Sequence, residues 1–135
     1  MFCTNQMVNL TRDTELRVTS PLHPRDYPNN LNCIWYIRVL DPSGYVTISF
    51  YAVNLQPFDD WLDIGVGRNI TSTSTVFRLT GTGGPRTATF QEEDLWIRYR
   101  SGPVPQADLW NGFEVRLQWQ PNFGRNLDTN VQTKF

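Results

Sequence analysis

The stretch Ile34-Trp35-Tyr36-Ile37-Arg38-Val39 decides the fold class. Its apolar side chains recur at every second position, so Trp35, Ile37 and Val39 share one face of an extended chain. That period belongs to a β-strand with one face on a core. The same alternation repeats outward along the chain. Val46, Ile48 and Phe50 oppose Tyr45, Thr47 and Ser49; Leu62, Ile64 and Val66 lie inward, with Asp63 on the outward face. Leu95, Ile97 and Tyr99 oppose Trp96, Arg98 and Arg100, and Phe113, Val115, Leu117 and Trp119 oppose Glu114, Arg116 and Gln118. Shorter candidates run from Leu16 to Thr19, Val76 to Leu79 and Thr87 to Phe90.

Between these segments stand turn-forming clusters: Asp41-Pro42-Ser43-Gly44, Gly81-Thr82-Gly83-Gly84-Pro85 and Ser101-Gly102-Pro103. No segment carries a capped helical stripe. Seven to nine strands without helices predict an all-β, antiparallel sandwich or barrel. A chain of 135 residues is the length of one domain. Alternation ends at Trp119, so residues 1–119 are expected to form the domain and 120–135 a linker or extension.

The formal net charge is −1, and the arginines are dispersed among acidic neighbours, which argues against a nucleic-acid partner. Eleven of the twelve cationic residues are arginine, a bias that composition alone does not explain. No apolar run approaches the ~18 residues of a membrane span, so no direct membrane insertion is expected. The two cysteines, Cys3 and Cys33, fit either two free thiols or one bridge. A bridge would contribute about 3–4 kcal/mol in the chain-entropy model. Asn9-Leu10-Thr11 and Asn69-Ile70-Thr71 are glycosylation sequons at Asn9 and Asn69, and they favour an oxidising compartment.

Catalytic chemistry is hard to find. His23 is the lone histidine and sits in a Pro-flanked loop, which argues against a multi-His metal site or a nucleophilic triad. Gly81 to Gly84 lacks the ending of a phosphate loop. Glu92, Glu93 and Asp94 read as a solvated turn before a strand. Asp59, Asp60 and Asp63 surround Trp61; Asp60 and Asp63 are the carboxylates an enzyme would use, but spacing alone does not set them across one cleft. No enzyme and no cofactor are expected.

One ordered set of motifs resembles the CUB domain family. Ser20-Pro21 and Tyr27-Pro28 precede Asn32-Cys33-Ile34-Trp35-Tyr36-Ile37, and Asp60-Trp61-Leu62-Asp63-Ile64 resembles that family's Asp-x-Leu-x-Ile strand. Leu79-Thr80-Gly81 stands where the family has Leu-Cys-Gly, Leu95 to Ser101 resembles its late strand, and Asn111-Gly112-Phe113-Glu114-Val115 its closing strand. The resemblance covers residues 3 to 119. It implies a jelly-roll-like, CUB-type sandwich of about ten strands, extracellular and non-catalytic, with Cys33 tethered to Cys3. Relatives with a second disulfide carry it near Phe58 and at Thr80, so both halves are missing here. Calcium-binding relatives supply three acids, of which only Asp60 remains; Gln56 lies near the first position and Gly102 takes the last, with Asp108 in the same loop. No metal is therefore expected, and this end of the sandwich is expected to rely on packing alone and to be the more mobile one.

The function implied is an extracellular protein-interaction module of a larger secreted or membrane-anchored protein, in an adhesion, receptor or adaptor role. Its partner surface is expected at Phe58, Asp59, Asp60 and Trp61, with Trp110. The alternative is a carbohydrate-binding module that stacks glycans on Trp96 with Tyr36 or Tyr45.

Overall fold

The computed structural model describes residues 3, 5–21, 29–103 and 110–121. Among them are nine strands and no helix: β1 (Gln6–Leu10), β2 (Glu15–Thr19), β3 (Asn32–Val39), β4 (Tyr45–Asn54), β5 (Trp61–Val66), β6 (Thr75–Leu79), β7 (Thr87–Phe90), β8 (Asp94–Arg100) and β9 (Gly112–Gln120). They build a five-stranded sheet, β1-β3-β8-β5-β6, and a four-stranded sheet, β2-β9-β4-β7. This is an all-β sandwich, one of the two architectures the alternation allows and the one the family resemblance implies.

Two details differ from the sequence reading. Strand β1 escapes it because only Val8 and Leu10 turn inward between polar neighbours, too short a run to show a period. Its pairing with β3 is parallel, Gln6 opposite Trp35 through Leu10 opposite Val39, whereas the other strand pairings are antiparallel. The disulfide Cys3–Cys33 lies at the start of this parallel pair, its Cα atoms 5.5 Å apart.

The inward residues of the two sheets interdigitate. Trp35 of β3 meets the ring of Phe113 of β9 edge-on at 6.1 Å, and Tyr99 of β8 lies 5.1 Å from the same ring. Leu62, Ile64, Ile97 and Leu117 are fully buried around them, each contributing about 1.5–3 kcal/mol. At the sheet edge, Phe77 of β6 stacks on Phe90 of β7 at 6.3 Å, which closes one side of the sandwich.

Outward positions are not simply wet. On the four-stranded sheet, Glu114 is buried and accepts bonds from Arg17 Nε at 2.9 Å and Arg116 Nε at 2.7 Å. Arg17 first, then Arg116, hold its carboxyl below the ordinary 4.5, at about 2, against the opposing effect of burial. Because the folded value is the lower one, this stabilisation is full above pH ~4.5 and is lost as the pH falls toward 2. Glu114→Gln is expected to cost about 1–2 kcal/mol at neutral pH, allowing for screening by solvent. Urea melts should show wild type and variant converging by pH 2; a gap that stays constant between pH 7 and 2 would refute this account.

Candidate functional site

The loop between β4 and β5 makes a tight turn. The amides of Asp59 and Asp60 both donate to the carbonyl of Gln56, at 3.4 and 3.1 Å. Within it Phe58 adopts φ +62° and remains 83% exposed. A left-handed conformation costs a bulky residue about 1–2 kcal/mol, and an exposed ring regains little by burial. Two contacts hold it. The Phe58 amide donates to Thr80 Oγ1 at 2.8 Å, and the ring meets Trp61 edge-on at 6.4 Å. The guanidinium of Arg78 caps Trp61, 4.9 Å from the ring centroid.

Thr80 is the hub of this corner. Its hydroxyl also lies 2.6 Å from the carbonyl of Asp60 and 3.4 Å from that of Gln56. The positions that resemble a second disulfide are therefore joined by a hydrogen bond from the Phe58 amide to the Thr80 hydroxyl. The expectation that this end relies on packing alone is corrected: a polar hub ties the loop to the end of β6.

Asp60 is fully buried, and its Oδ1 accepts the amide of Gly102 at 2.7 Å. Its carboxylate is thus withdrawn from the surface and fixes the loop after β8, so it does not present a charge to a partner directly. Asp59 is half-buried, its carboxyl against the α-carbon of Gly102, and a side chain at 102 would collide with it. The donors do not suit calcium, which takes about six to eight oxygens from several charged ligands. Gln56 is neutral, position 102 has no side chain, and Asp60 is engaged with an amide.

The outer face of the five-stranded sheet adjoins this corner. Register places its residues in rows: Arg38 beside Asp94, then Tyr36-Trp96-Gly65, then Ile34-Arg98-Asp63-Arg78, then Asn32-Arg100-Trp61. Asp63 lies on the outward face as expected but is only 1% exposed. Arg98 Nη2 and Arg100 Nη2 reach its Oδ2 at 3.0 and 3.2 Å, and Arg78 Nε approaches Oδ1 at 3.7 Å. Removed from water and surrounded by guanidinium groups, Asp63 is a structural ion-pair centre, and no second carboxylate pairs with it among the described residues.

The glycan-stacking reading on Trp96 does not survive. Trp96 is outward-facing yet 0% exposed, its indole laid across Gly65, and Tyr45 belongs to the other sheet. Trp110 packs partly buried against the core, and no ring contact joins it to Phe58 or Trp61 among the described residues. Asn69 is exposed between β5 and β6, and Asn9 is exposed on edge strand β1. Asn9 lines a groove of about 450 Å³ with Met7, Tyr36, Arg38, Arg68 and Asp94. His23, Asp108 and the tail from residue 122 lie outside the described residues. The sequence reading missed the roles of Thr80, Arg78, Arg98 and Arg100. Alternation put Arg98 and Arg100 outward, but only strand register brings them to Asp63.

The CUB domain family model matches residues 3–116. Embryonic protein UVS.2 of Xenopus laevis is 36% identical over 83 residues, which is 58% of this chain and 16% of that protein. The chain therefore spans a small part of its curated relative. The CUB1-EGF-CUB2 region of human MASP-1/3 superposes with TM-score 0.68 at 18% identity, over 84% of this chain and 41% of that one. The full extracellular region of zebrafish Gpr126/Adgrg6 gives 0.65 at 23% identity, over 84% and 14%. At these identities the two structural likenesses speak to fold.

Proposed function

The chain belongs to the CUB domain family of extracellular β-sandwich modules, and from that premise we propose that it is a calcium-independent protein-interaction domain of a larger protein, recognising its partner through Phe58 and Trp61. The observation that carries this reading is Phe58 itself. An aromatic ring held in a left-handed turn and left 83% exposed gains little for the fold from either feature. Aromatic and arginine side chains clustered on a rigid frame are the usual composition of an interface hot spot. Trp61 under Arg78, with Thr80 fixing the loop, supplies that frame. The sequons at Asn9 and Asn69 are proposed to carry glycans, since both asparagines are exposed. A glycan at Asn9 would also shield the open edge of β1 from pairing with another strand.

Screening the glycosylated domain against an array of purified extracellular ectodomains tests the reading. Hits are expected to lose about 30-fold in affinity with Trp61→Ala and with Phe58→Gly, the scale of a hot-spot truncation near 2 kcal/mol. Phe58→Gly should leave the melting free energy within about 1 kcal/mol of wild type, because glycine accepts the turn without strain. Unchanged affinity in both variants would remove this surface from consideration.

A further inference from the structure

The arginine bias has a place in the fold. Arg38, Arg68, Arg78, Arg98 and Arg100 all stand on or beside the outer face of the five-stranded sheet, paired with two carboxylates, Asp94 and Asp63. The four-stranded sheet contrasts with it: Arg17 and Arg116 are matched by Glu114 and Glu15. Among the ion pairs, the excess of arginine over carboxylate is therefore a property of one face. Both of its acids are the more buried partners, Asp63 at 1% and Asp94 at 22% exposure, while Arg38, Arg78 and Arg68 are 41, 56 and 68% exposed. An approaching molecule meets mainly hydrogen-bond donors. The Nε atoms of Arg98 and Arg100 and the Oδ1 of Asp63 are all buried without a hydrogen bond among the described residues, so the donors this end offers outward belong to the exposed parts of Arg78, Arg100 and Arg98, which are 56, 35 and 25% exposed.

We propose that the Arg78-Arg98-Arg100 end of this face, together with Phe58 and Trp61, receives an acidic segment of the protein partner in which carboxylates flank an apolar residue. This rests on the interaction reading above and names the partner's chemistry. Guanidinium groups bind carboxylates through paired N–H donors and retain that geometry when partly desolvated. The exposed ring of Phe58 adjoins them through Trp61 and Arg78, so an apolar residue beside the carboxylates finds its own contact. A sulfated polysaccharide fits less well. It requires an unbroken cationic stripe, whereas the uncharged row Tyr36-Trp96-Gly65 separates Arg98 from Arg38, half-buried Asp59 borders one end, and exposed Glu92 and Glu93 precede the other. The opposite end carries Asn9 on the wall of the groove, where a glycan would restrict access.

The test uses three probes on the isotope-labelled domain: a short peptide centred on Asp-Glu-Phe-Asp-Glu, the same peptide with lysine at its four acidic positions, and a heparin oligosaccharide. Nuclear magnetic resonance follows the indole N–H of Trp61 and the Nε–H groups of Arg78, Arg98 and Arg100. The acidic peptide is expected to shift these signals and to weaken about fivefold or more between about 50 and 200 mM salt. Arg78→Glu/Arg100→Glu should weaken it about tenfold, Arg78→Ser less, and Arg86→Glu, an exposed control elsewhere, not at all. The milder Arg78→Ser variant keeps the test valid should the double variant melt early, since Arg98 and Arg100 still pair with Asp63. Binding of the lysine peptide, binding of heparin without the acidic peptide, or indifference to charge reversal would each overturn the proposal. The ectodomain array separates the two readings. Hits lost with Trp61→Ala but retained with Arg78→Glu/Arg100→Glu leave the interaction surface standing and remove its acidic partner; hits that survive both variants remove the surface as well.

Discussion

Replacing both cysteines, Cys3→Ala/Cys33→Ala, is expected to lower stability by about 3–4 kcal/mol, the loop-closure value for a bridge with a sequence separation of 30. The loss should not be spread evenly. The bridge stands at the start of β1, which hydrogen-bonds to β3 along one side and has no strand on the other among the described residues. It contributes few inward side chains, Val8 and Leu10, so little packing remains to hold it once the tether is gone. Hydrogen exchange should therefore show the β1 amides opening well before those of β3, β8 and β5, and an overall melt about 10 °C lower. A double variant whose β1 amides stay as protected as those of β3 would show that packing alone seats the strand.

The second large effect is expected at Gly65. A β-carbon there would fall within the indole of Trp96 and come within 2.5 Å of the backbone carbonyl of Ser74. Neither neighbour can yield cheaply. Ser74 O is backbone and accepts the amide of Val66 at 3.0 Å, and Trp96 is fully buried. Gly65→Ala is expected to cost about 3 kcal/mol, the upper part of the range for overpacking. Because Trp96 would have to leave its bed, a change in the near-ultraviolet circular dichroism of tryptophan should accompany the loss. A variant that melts within about 0.5 kcal/mol of wild type, with an unaltered tryptophan signal, would show that the β-carbon fits without displacing the indole.

Most of the architecture was legible because strand periodicity is local. Trp35, Ile37 and Val39 announce a core face whatever they later meet, and the same holds for Val46, Ile48 and Phe50. The Phe58–Trp61 corner was legible as a cluster of aromatics and acids at a strand entrance. Its conformation was not. Nothing local marks Phe58 as left-handed, because the turn is held by Thr80, which lies 22 residues away in sequence. The outward aromatics misled for a related reason. Alternation assigns Trp96 to the solvent side, yet the missing side chain at Gly65 on the neighbouring strand gives the indole a place to lie flat and be covered.

The amino-acid sequence alone determined that this chain is an all-β sandwich or barrel, which side chains point inward, and which loops carry aromatics and acids. Each of those is set by a residue and its immediate neighbours. The tertiary structure decided which charges meet. Asp63 becomes buried only because the register of β5 with β8 brings Arg98 and Arg100 to it from 35 and 37 residues away. Pairing between strands distant in the chain is a global outcome of packing both faces at once. For that reason the cationic face, and the acidic partner proposed for it, could be read only from the folded sheet.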